Sequence, residues 1–453
     1  MNEEKLTPSQ LKYKMMTETP VPKLIMKLAV PTILSMLVTG FYNMADTYFV
    51  GKITTEDTAA VGLVFSVMAL IQAVGFFCGQ GSGTFLSRML GAGEKKKAEE
   101  MAATGFVVAA ILGVIIAILG NIYAHPLAYI MGADENSVEK TVQYMRIILI
   151  GTPFMTCQFV VNNQLRFQGS AFYAMIGLFC GAAVNVILDP IMIFGFHMGI
   201  SGAAVATISA QFISFIILLN GTTKGSNLRL NLKNVRFRFF YLKEIVNGGM
   251  ASLLRQGLAA VATLLMNNKA QELGSNAAVA AMSIVTKIVM MIGCAMIGFG
   301  QGFQPVCSFN YGAGLKKRVR EGFFFCFKYG TIFLTFGAAI LIVFADLIVY
   351  LMRDDMAVVE IGKVALRWQA ATLPLLGFSS MANMMLQSTG KGFKASIASS
   401  CRSGLCFIPL LYLLTYFYGI QGLEATQAIA DILALIIAIP LAVTELAKMK
   451  DNS

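Results

Sequence analysis

The sequence is short of nearly everything that soluble enzymes use for chemistry. Of 453 residues only two are histidine, one is tryptophan, and Asp, Glu, Lys and Arg together make up 13%. His125 and His197 both fall in expected outer loops, so they are weak candidates for proton relay within a membrane. The eight cysteines (Cys78, Cys157, Cys180, Cys294, Cys307, Cys326, Cys401, Cys406) form no CxxC pair and lie in or beside apolar runs. They read as small packing residues, without a disulfide or zinc framework. The nearest thing to a phosphate loop, Ser388-Thr389-Gly390-Lys391-Gly392, lacks the leading glycine and the hydroxyl after lysine, so ATP hydrolysis is not expected. Gly79-Gln80-Gly81-Ser82-Gly83 ends an apolar stretch and has no strand-helix setting for a dinucleotide. A membrane enzyme acting on lipid head groups would need a nucleophile or a His/Asp/Glu cluster, and none is visible. Residues 1–22 mix acids and lysines with little apolar content, so no secretory signal is expected before the first apolar run.

What remains is apolar. Hydrophobic residues make up 57% of the chain and mean hydropathy is +0.69, which places it among integral membrane proteins. Its net charge of +11 is then explained by basic loops held on the cytoplasmic side, and no nucleic-acid partner is expected. Apolar runs of membrane length fall at about 23–50, 58–90, 101–123, 141–168, 171–195, 201–220, 245–268, 277–310, 322–352, 360–388, 394–418 and 422–446. Twelve crossings follow. Every second connection is basic, with Lys95 to Lys97, Arg166, the cluster Lys224 to Lys243, Lys316 to Arg320, and Lys391 with Lys394. The alternate connections hold acids such as Glu56, Asp57, Asp134, Glu135, Asp354 and Asp355. The positive-inside rule therefore puts both termini in the cytoplasm of a multi-pass plasma-membrane protein.

The chain also repeats itself. An offset of 221 carries Gly79-Gln80-Gly81 onto Gly300-Gln301-Gly302, Gly91-Ala92-Gly93 onto Gly312-Ala313-Gly314, Pro153 onto Pro374 and Gly169 onto Gly390; after a one-residue slip Gly199 meets Gly419. Two units of six helices each begin on the same side, so the repeat is parallel, with a pseudo-twofold axis along the membrane normal and a cleft between the bundles. The expected organisation is an N-terminal segment at 1–22, an N-lobe at 23–220, a basic linker at 221–243, a C-lobe at 244–446 and a tail at 447–453. This is an all-α polytopic fold suited to alternating access. One chain completes the cleft, so a monomer is the default.

Asn185-Val186-Ile187-Leu188-Asp189-Pro190 places an amide and a carboxyl on one helix face inside an apolar run. The amide can donate to the carboxylate or join it in holding a cation, and Pro190 frees a backbone acceptor beside them. A carboxyl in hydrocarbon marks an ion path by default, although a neutral acid tied to neighbouring helices for packing gives the same pattern. Ser35, Thr39, Asn43 and Asp46 form a polar stripe on the first helix, which also contains Pro31, a place to bend. Asn162, Asn163, Thr207 and Gln211 are polar groups able to converge with Asp46 and Asp189. Together they supply oxygen ligands for sodium or partners for a protonating carboxyl. In the second unit the register puts Asn267 opposite Asp46 and Ile408-Pro409 opposite Asp189, while Arg255 and Lys287 stand at membrane depth. Met36, Met266 and Met282 join Thr39, Asn43, Asn163, Gln211 and Asn267 as candidate lining of an apolar substrate cavity.

The twin repeat, Asp46-Thr47, Gly79 to Gly83 followed by Arg88 and Gly91-Ala92-Gly93, and Asn185 through Asp189-Pro190 together resemble the MATE (multidrug and toxin extrusion) transporters of the MOP flippase superfamily, in their DinF-like and MepA-like bacterial branch. The resemblance covers residues 23–446. It implies export of amphipathic, mostly cationic compounds in exchange for protons or sodium, with no other cofactor. It also implies an N-lobe cation site at Asp46, Asn162, Asn185, Asp189 and Thr207 and a hinge at Pro31. The NorM-like branch uses C-lobe acids as well, and this chain lacks them at the aligned positions. A lipid-linked oligosaccharide flippase of the same superfamily is the alternative; Arg255 and Lys287 would suit its anionic substrate, whereas the acidic first lobe would not.

Overall fold

The computed structural model describes residues 7–50, 52 and 55–449; for 43–48, 55, 59, 274 and 275 within that range it describes the backbone alone. The described chain is helical, in the order α1 (Pro8–Glu18), α2 (Val21–Val50), α3 (Thr55–Gly91), α4 (Lys95–Ile122), α5 (Ala124–Ile130), α6 (Val138–Phe167), α7 (Ala171–Pro190), α8 (Gly199–Thr222), α9 (Phe239–Gly312), α10 (Lys316–Val343), α11 (Ala345–Met352), α12 (Met356–Ser388), α13 (Gly392–Ser400) and α14 (Phe407–Ala447).

Ten spans among the described residues are long and apolar enough to cross a membrane. The other two crossings are disguised. α12 has the length, 33 residues, but carries Glu360, Lys363 and Arg367 near its start. The single span Gly392–Ala447 breaks at Gly419, whose φ of 57° and ψ of −128° turn the chain back. α9 also holds two crossings, since its 74 residues would extend about 110 Å if straight. Gln387 shows the reversal: its Nε2 donates to the Gly248 carbonyl at 2.6 Å, and its Oε1 accepts from Gln304 at 3.0 Å. Both arms of α9 therefore pass the same side chain.

The internal repeat is written into the backbone. Gly93 and Gly314 have φ of 78° and 77°, Gly169 and Gly390 both 78°, and Gly199 and Gly419 55° and 57°. The first four follow helix C-termini, where the next residue's N–H reaches back to a carbonyl five residues earlier, as Glu94 does to Met89 (2.8 Å) and Leu315 to Asn310 (2.8 Å). That closure needs a left-handed residue, which glycine adopts without Cβ strain. A cross-helix bond repeats as well: Asn162 Nδ2 donates to Ala174 O at 3.0 Å, and Asn383 Nδ2 to Ala395 O at 2.7 Å, both partners shifted by 221.

The two halves are pressed together at their basic-loop ends. A Cβ on Gly91 would collide with the Phe309 carbonyl, on Gly312 with that of Arg88, on Gly81 with that of Ile245, and on Gly249 with that of Phe77. Backbone thus lies on backbone between α3 and both arms of α9. Toward the opposite ends, a Cβ on Gly40, Gly62, Gly257 or Gly293 would meet nothing within 4 Å. The halves therefore meet at the basic side and part toward the other. Arg88 closes the seam electrostatically, donating to Glu244 at 2.9 Å and to the Ser388 carbonyl at 3.2 Å. α2 bridges the halves: Leu24, Ile25 and Leu28 belong to the core built by α9, α10 and α12, whereas Val50 belongs to the core of α3, α5, α6 and α8. Pro31 lies just beyond the first group.

The N-terminal segment holds a helix, α1, whose signal is Thr7-Pro8-Ser9-Gln10: a Thr N-cap, Pro at the first position and a Gln returning to the cap. α1 straps the basic face. Lys12 Nζ donates to Asn227 Oδ1 (2.6 Å) and Ser170 Oγ (3.0 Å) on the first half, while the Met16 carbonyl accepts from Asn310 Nδ2 (3.1 Å) on the second. Burial pushes the Lys12 ammonium down to about 8 from an ordinary 10.5.

Two outcomes follow from this packing. In a chain whose only cysteine is the fully buried Cys307, Gly91→Leu should wedge α3 from α9 and raise maleimide labelling at least about tenfold; unchanged protection would refute the backbone-on-backbone seam. For α1, docked Lys12 loses its proton before free Lys12 does. Docking is therefore independent of pH below about 8 and tightens as pH rises from there toward 10.5. The rate of limited proteolysis within α1, taken as the ratio of wild type to Lys12→Met, should fall across that window.

Candidate cation site

The polar centre of the first half is built on α7 and α8. These helices are antiparallel neighbours: Ser214 Oγ donates to the Gly177 carbonyl at 2.8 Å, and Gly202 lies against the backbone of Met192. Asn185 and Asp189, four residues apart on α7, are 2% and 0% exposed. Asn185 Nδ2 donates to Asp189 Oδ1 at 3.2 Å. Beyond Pro190 the helix loosens into a π turn over Ile191–Gly195, so the carboxyl stands where the regular hydrogen-bond ladder ends. On α8, Thr207 is buried and Gln211 stands one turn away on the same face. The antiparallel pairing brings Thr207 level with Asn185.

The donor and acceptor balance of this group is uneven. Asn185 Oδ1 and Gln211 Oε1 are buried acceptors without a hydrogen-bond partner among the described residues. Leaving a buried acceptor unpaired costs about 1–3 kcal/mol. The Asp189 carboxyl beside the Asn185 amide, with the Thr207 hydroxyl level with them on α8, offers oxygen ligands of the kind that suit a hard cation or a proton shared through water. Soft-metal ligands are absent from the group.

Two expected members are placed elsewhere. Asn162 is tied to the Ala174 carbonyl, 11 residues before Asn185 on α7 (185 − 174) and therefore about 16 Å along the helix. Asn163 donates to the Phe159 carbonyl and accepts from Arg166 at the seam between the halves. The short connection between α6 and α7 fixes this, because residues close to it pair near the basic end while Asn185 and Asp189 lie toward the other. Asp46 and Asn43 belong to α2, which runs along α7 in the same direction, but their side chains lie outside the described residues.

The lower part of the stripe on α2 is spent on its own helix. Ser35 Oγ donates to the Pro31 carbonyl at 2.8 Å, and Thr39 Oγ1 to the Ser35 carbonyl at 2.8 Å. Such back-bonding beside a proline loosens a helix. Of the cavity candidates, Met266 and Met282 are 5% and 0% exposed within the core of the second half, so they are packing residues and not lining. Their apolar, unbranched side chains fill that core instead. Met36, Thr39 and Asn267 are half-buried, and Lys287 is exposed.

The second half holds buried acids that sequence register alone did not single out. Asp431, 3% exposed, accepts from Arg402 Nε and from Gln427 Nε2, both at 2.9 Å, and Glu424 is 6% exposed. Both lie in the apolar run 422–446, where any acid is a signal. In the first half Asp57 is also buried, at 2%, opening α3 rather than lying in a loop; Lys140 stands 3.5 Å away. Because the Arg402 side chain is 41% exposed, Arg402→Gln should destabilise by about 1–3 kcal/mol, less than for a fully buried pair. Arg402→Met with Asp431→Leu should recover most of this in a detergent melting experiment.

A family model described as MatE matches the chain twice, over residues 31–191 and 251–413. The multidrug export protein MepA of Staphylococcus haemolyticus is 27% identical over 423 residues, 93% of each chain, and MepA of Staphylococcus aureus is 27% identical over 427 residues, again 93% of each. Among solved structures, MATE in complex with MaL6 aligns with a TM-score of 0.91 at 25% identity, covering 97% of this chain and 99% of that one. The outward-facing conformation of a multidrug resistance MATE family transporter of the MOP superfamily aligns with a TM-score of 0.90 at 26% identity, covering 97% and 98%.

Proposed function

Because the chain belongs to the MatE family, matched over both of its halves, we propose that it is a multidrug export transporter that exchanges amphipathic, mostly cationic compounds for protons or sodium. The observation that supports the coupling is the buried Asn185–Asp189 pair, with Thr207 level with it on the neighbouring helix, in a half that is sealed to its partner at the basic end.

The mechanism follows from charge and hinge. With the halves parted on the outer side, Asp189, together with Asp46 of α2, takes up a proton or sodium. The charge is then offset in the apolar interior, and α2 adjusts about Pro31, where Ser35 and the missing N–H already weaken the helix. α2 packs on both halves, so its adjustment changes the cavity that holds the drug and the packing of the seam together. Drug and ion are exchanged because both depend on the same carboxylates. A proton moving down about 100 mV supplies roughly 2.3 kcal/mol, enough for somewhat under two decades of gradient in a neutral compound. The basic-loop end is assigned to the cytoplasm of the plasma membrane, with both termini there, and the working unit to a single chain. The lipid-linked oligosaccharide flippase is less favoured, since the buried acid centre would repel a pyrophosphate.

Uptake of a fluorescent lipophilic cation into inverted vesicles, with pH and sodium gradients imposed separately, tests this. Wild type should accumulate the dye under one gradient, and Asp189→Asn should lose at least about tenfold of the rate while inserting normally. Equal uptake by the two chains would overturn the role of the carboxyl.

A further inference from the structure

The second half carries a buried carboxyl that the exchange proposed above does not use. Asp431, on the arm of α14 beyond Gly419, is 3% exposed, and its Oδ1 accepts from Gln427 Nε2 at 2.9 Å, one turn earlier on the same helix. The same device stands in the first half, where Asn185 Nδ2 donates to Asp189 Oδ1 at 3.2 Å, again from four residues earlier. In the second half a cation of the chain itself completes the group: Arg402 Nε donates to the same Asp431 oxygen at 2.9 Å.

The internal repeat locates this group. The offset of 221 puts Arg402 on Gly181, and after the one-residue slip Gln427 falls on Thr207 and Asp431 on Gln211. The packing agrees with that register, since a Cβ on Gly181 would meet Ser214 Cβ at 2.8 Å and the Ala210 carbonyl at 3.3 Å, beside Gln211 on α8. Where glycine leaves α7 without a side chain, arginine reaches across to the neighbouring arm in the second half. Gln211 Oε1 accordingly has no partner among the described residues, whereas Asp431 Oδ1 has two.

Arg402 and Asp431 stand near the middle of the apolar runs 394–418 and 422–446, at a depth where charges face protein or a wet cavity and not lipid. A buried carboxylate there needs a cation beside it. Sodium and a proton come and go, but a guanidinium keeps its charge in proteins and is held by its own backbone.

We infer that Asp431 and Gln427 form a monovalent-cation site of the second half, related by the repeat to the polar centre of the first, and that Arg402 is its tethered occupant. Removing the arginine opens the site to a free guanidinium-type cation. The site stands independently of the transport reading; its consequence rests on that reading, namely that ion exchange is confined to the first half because the second half's carboxyl is neutralised in every state of the cycle.

The test melts the full chain in detergent, at constant pH and sodium, with about 20 mM guanidinium chloride, far below denaturing concentration, or the same amount of urea as its neutral counterpart. Guanidinium should raise the melting temperature of Arg402→Ala by about 3 °C or more beyond its effect on wild type, and urea should not. Arg402→Ala with Asp431→Asn should lose the response. Equal shifts in all three chains, or none in any, would overturn the site. If Arg402→Ala does not fold, Arg402→Gln, which keeps more of the side-chain volume, is read in the same way. In vesicles, uptake by the arginine-free chain should depend more steeply on the driving ion than uptake by wild type; equal steepness would overturn the confinement to the first half. Failure of the transport reading looks different: wild type would show no gradient-driven uptake, and the melting shifts would stand.

Discussion

The structure depends on one constraint, that backbone must touch backbone between α3 and both arms of α9. Glycine makes this possible at Gly81, Gly91, Gly249 and Gly312, because any Cβ there would enter a carbonyl of the facing helix. In a bilayer the hydrophobic effect gives helices little reason to prefer each other over lipid, so close approach of this kind supplies the packing. It is confined to the basic-loop end. The opposite ends are left apart, and a cleft open to one side results from geometry without any dedicated lid. Arg88 with Glu244 and the strap α1 add polar bonds to the same end. Opening there must therefore break a set of interactions together.

α2 connects this seam to the ion chemistry. Its first turns are part of the second half's core, its last residue is part of the first half's core, and its middle is weakened by Pro31 and by hydroxyls bonded to their own helix. A change of charge beside the outer part of α2 therefore bears on both cores. Desolvation sets the sign. A bare carboxylate in this interior is unfavourable, whereas one holding a proton or sodium is tolerated; in the proposed exchange, ion uptake and release would therefore select between arrangements of α2.

Much of the fold is legible in the sequence because apolar length, loop charge and the 221-residue register are all long-range averages that survive local error. Gly93, Gly169, Gly314 and Gly390 carry the repeat down to single dihedral angles. Where apolarity and crossing part company, as in α12 with its Glu360, Lys363 and Arg367, length and repeat together still identify the helix. The site is less legible. Asn185 and Asp189 follow from spacing alone, but Asn162 is displaced because depth along a helix depends on where the connecting turn lies, not on residue type. Met266 and Met282 fail as cavity residues for a related reason: a methionine in a core and one in a cavity look alike until burial is known. Asp431 was visible as an acid in an apolar run, yet its partner Arg402 is 29 residues earlier and meets it only through packing.

The central claim is that the two halves rock against each other, so that the basic-end seam opens as the outer ends close. Spin-label distances test it most directly, with one pair at Tyr123 and Phe344 on the outer ends and a second at Lys96 and Lys317 on the basic ends, each pair related by the repeat. During turnover the account predicts opposite changes: the outer pair shortens in the population where the basic pair lengthens. Distances that change in the same sense, or an outer pair that closes while the basic pair stays fixed, would contradict it.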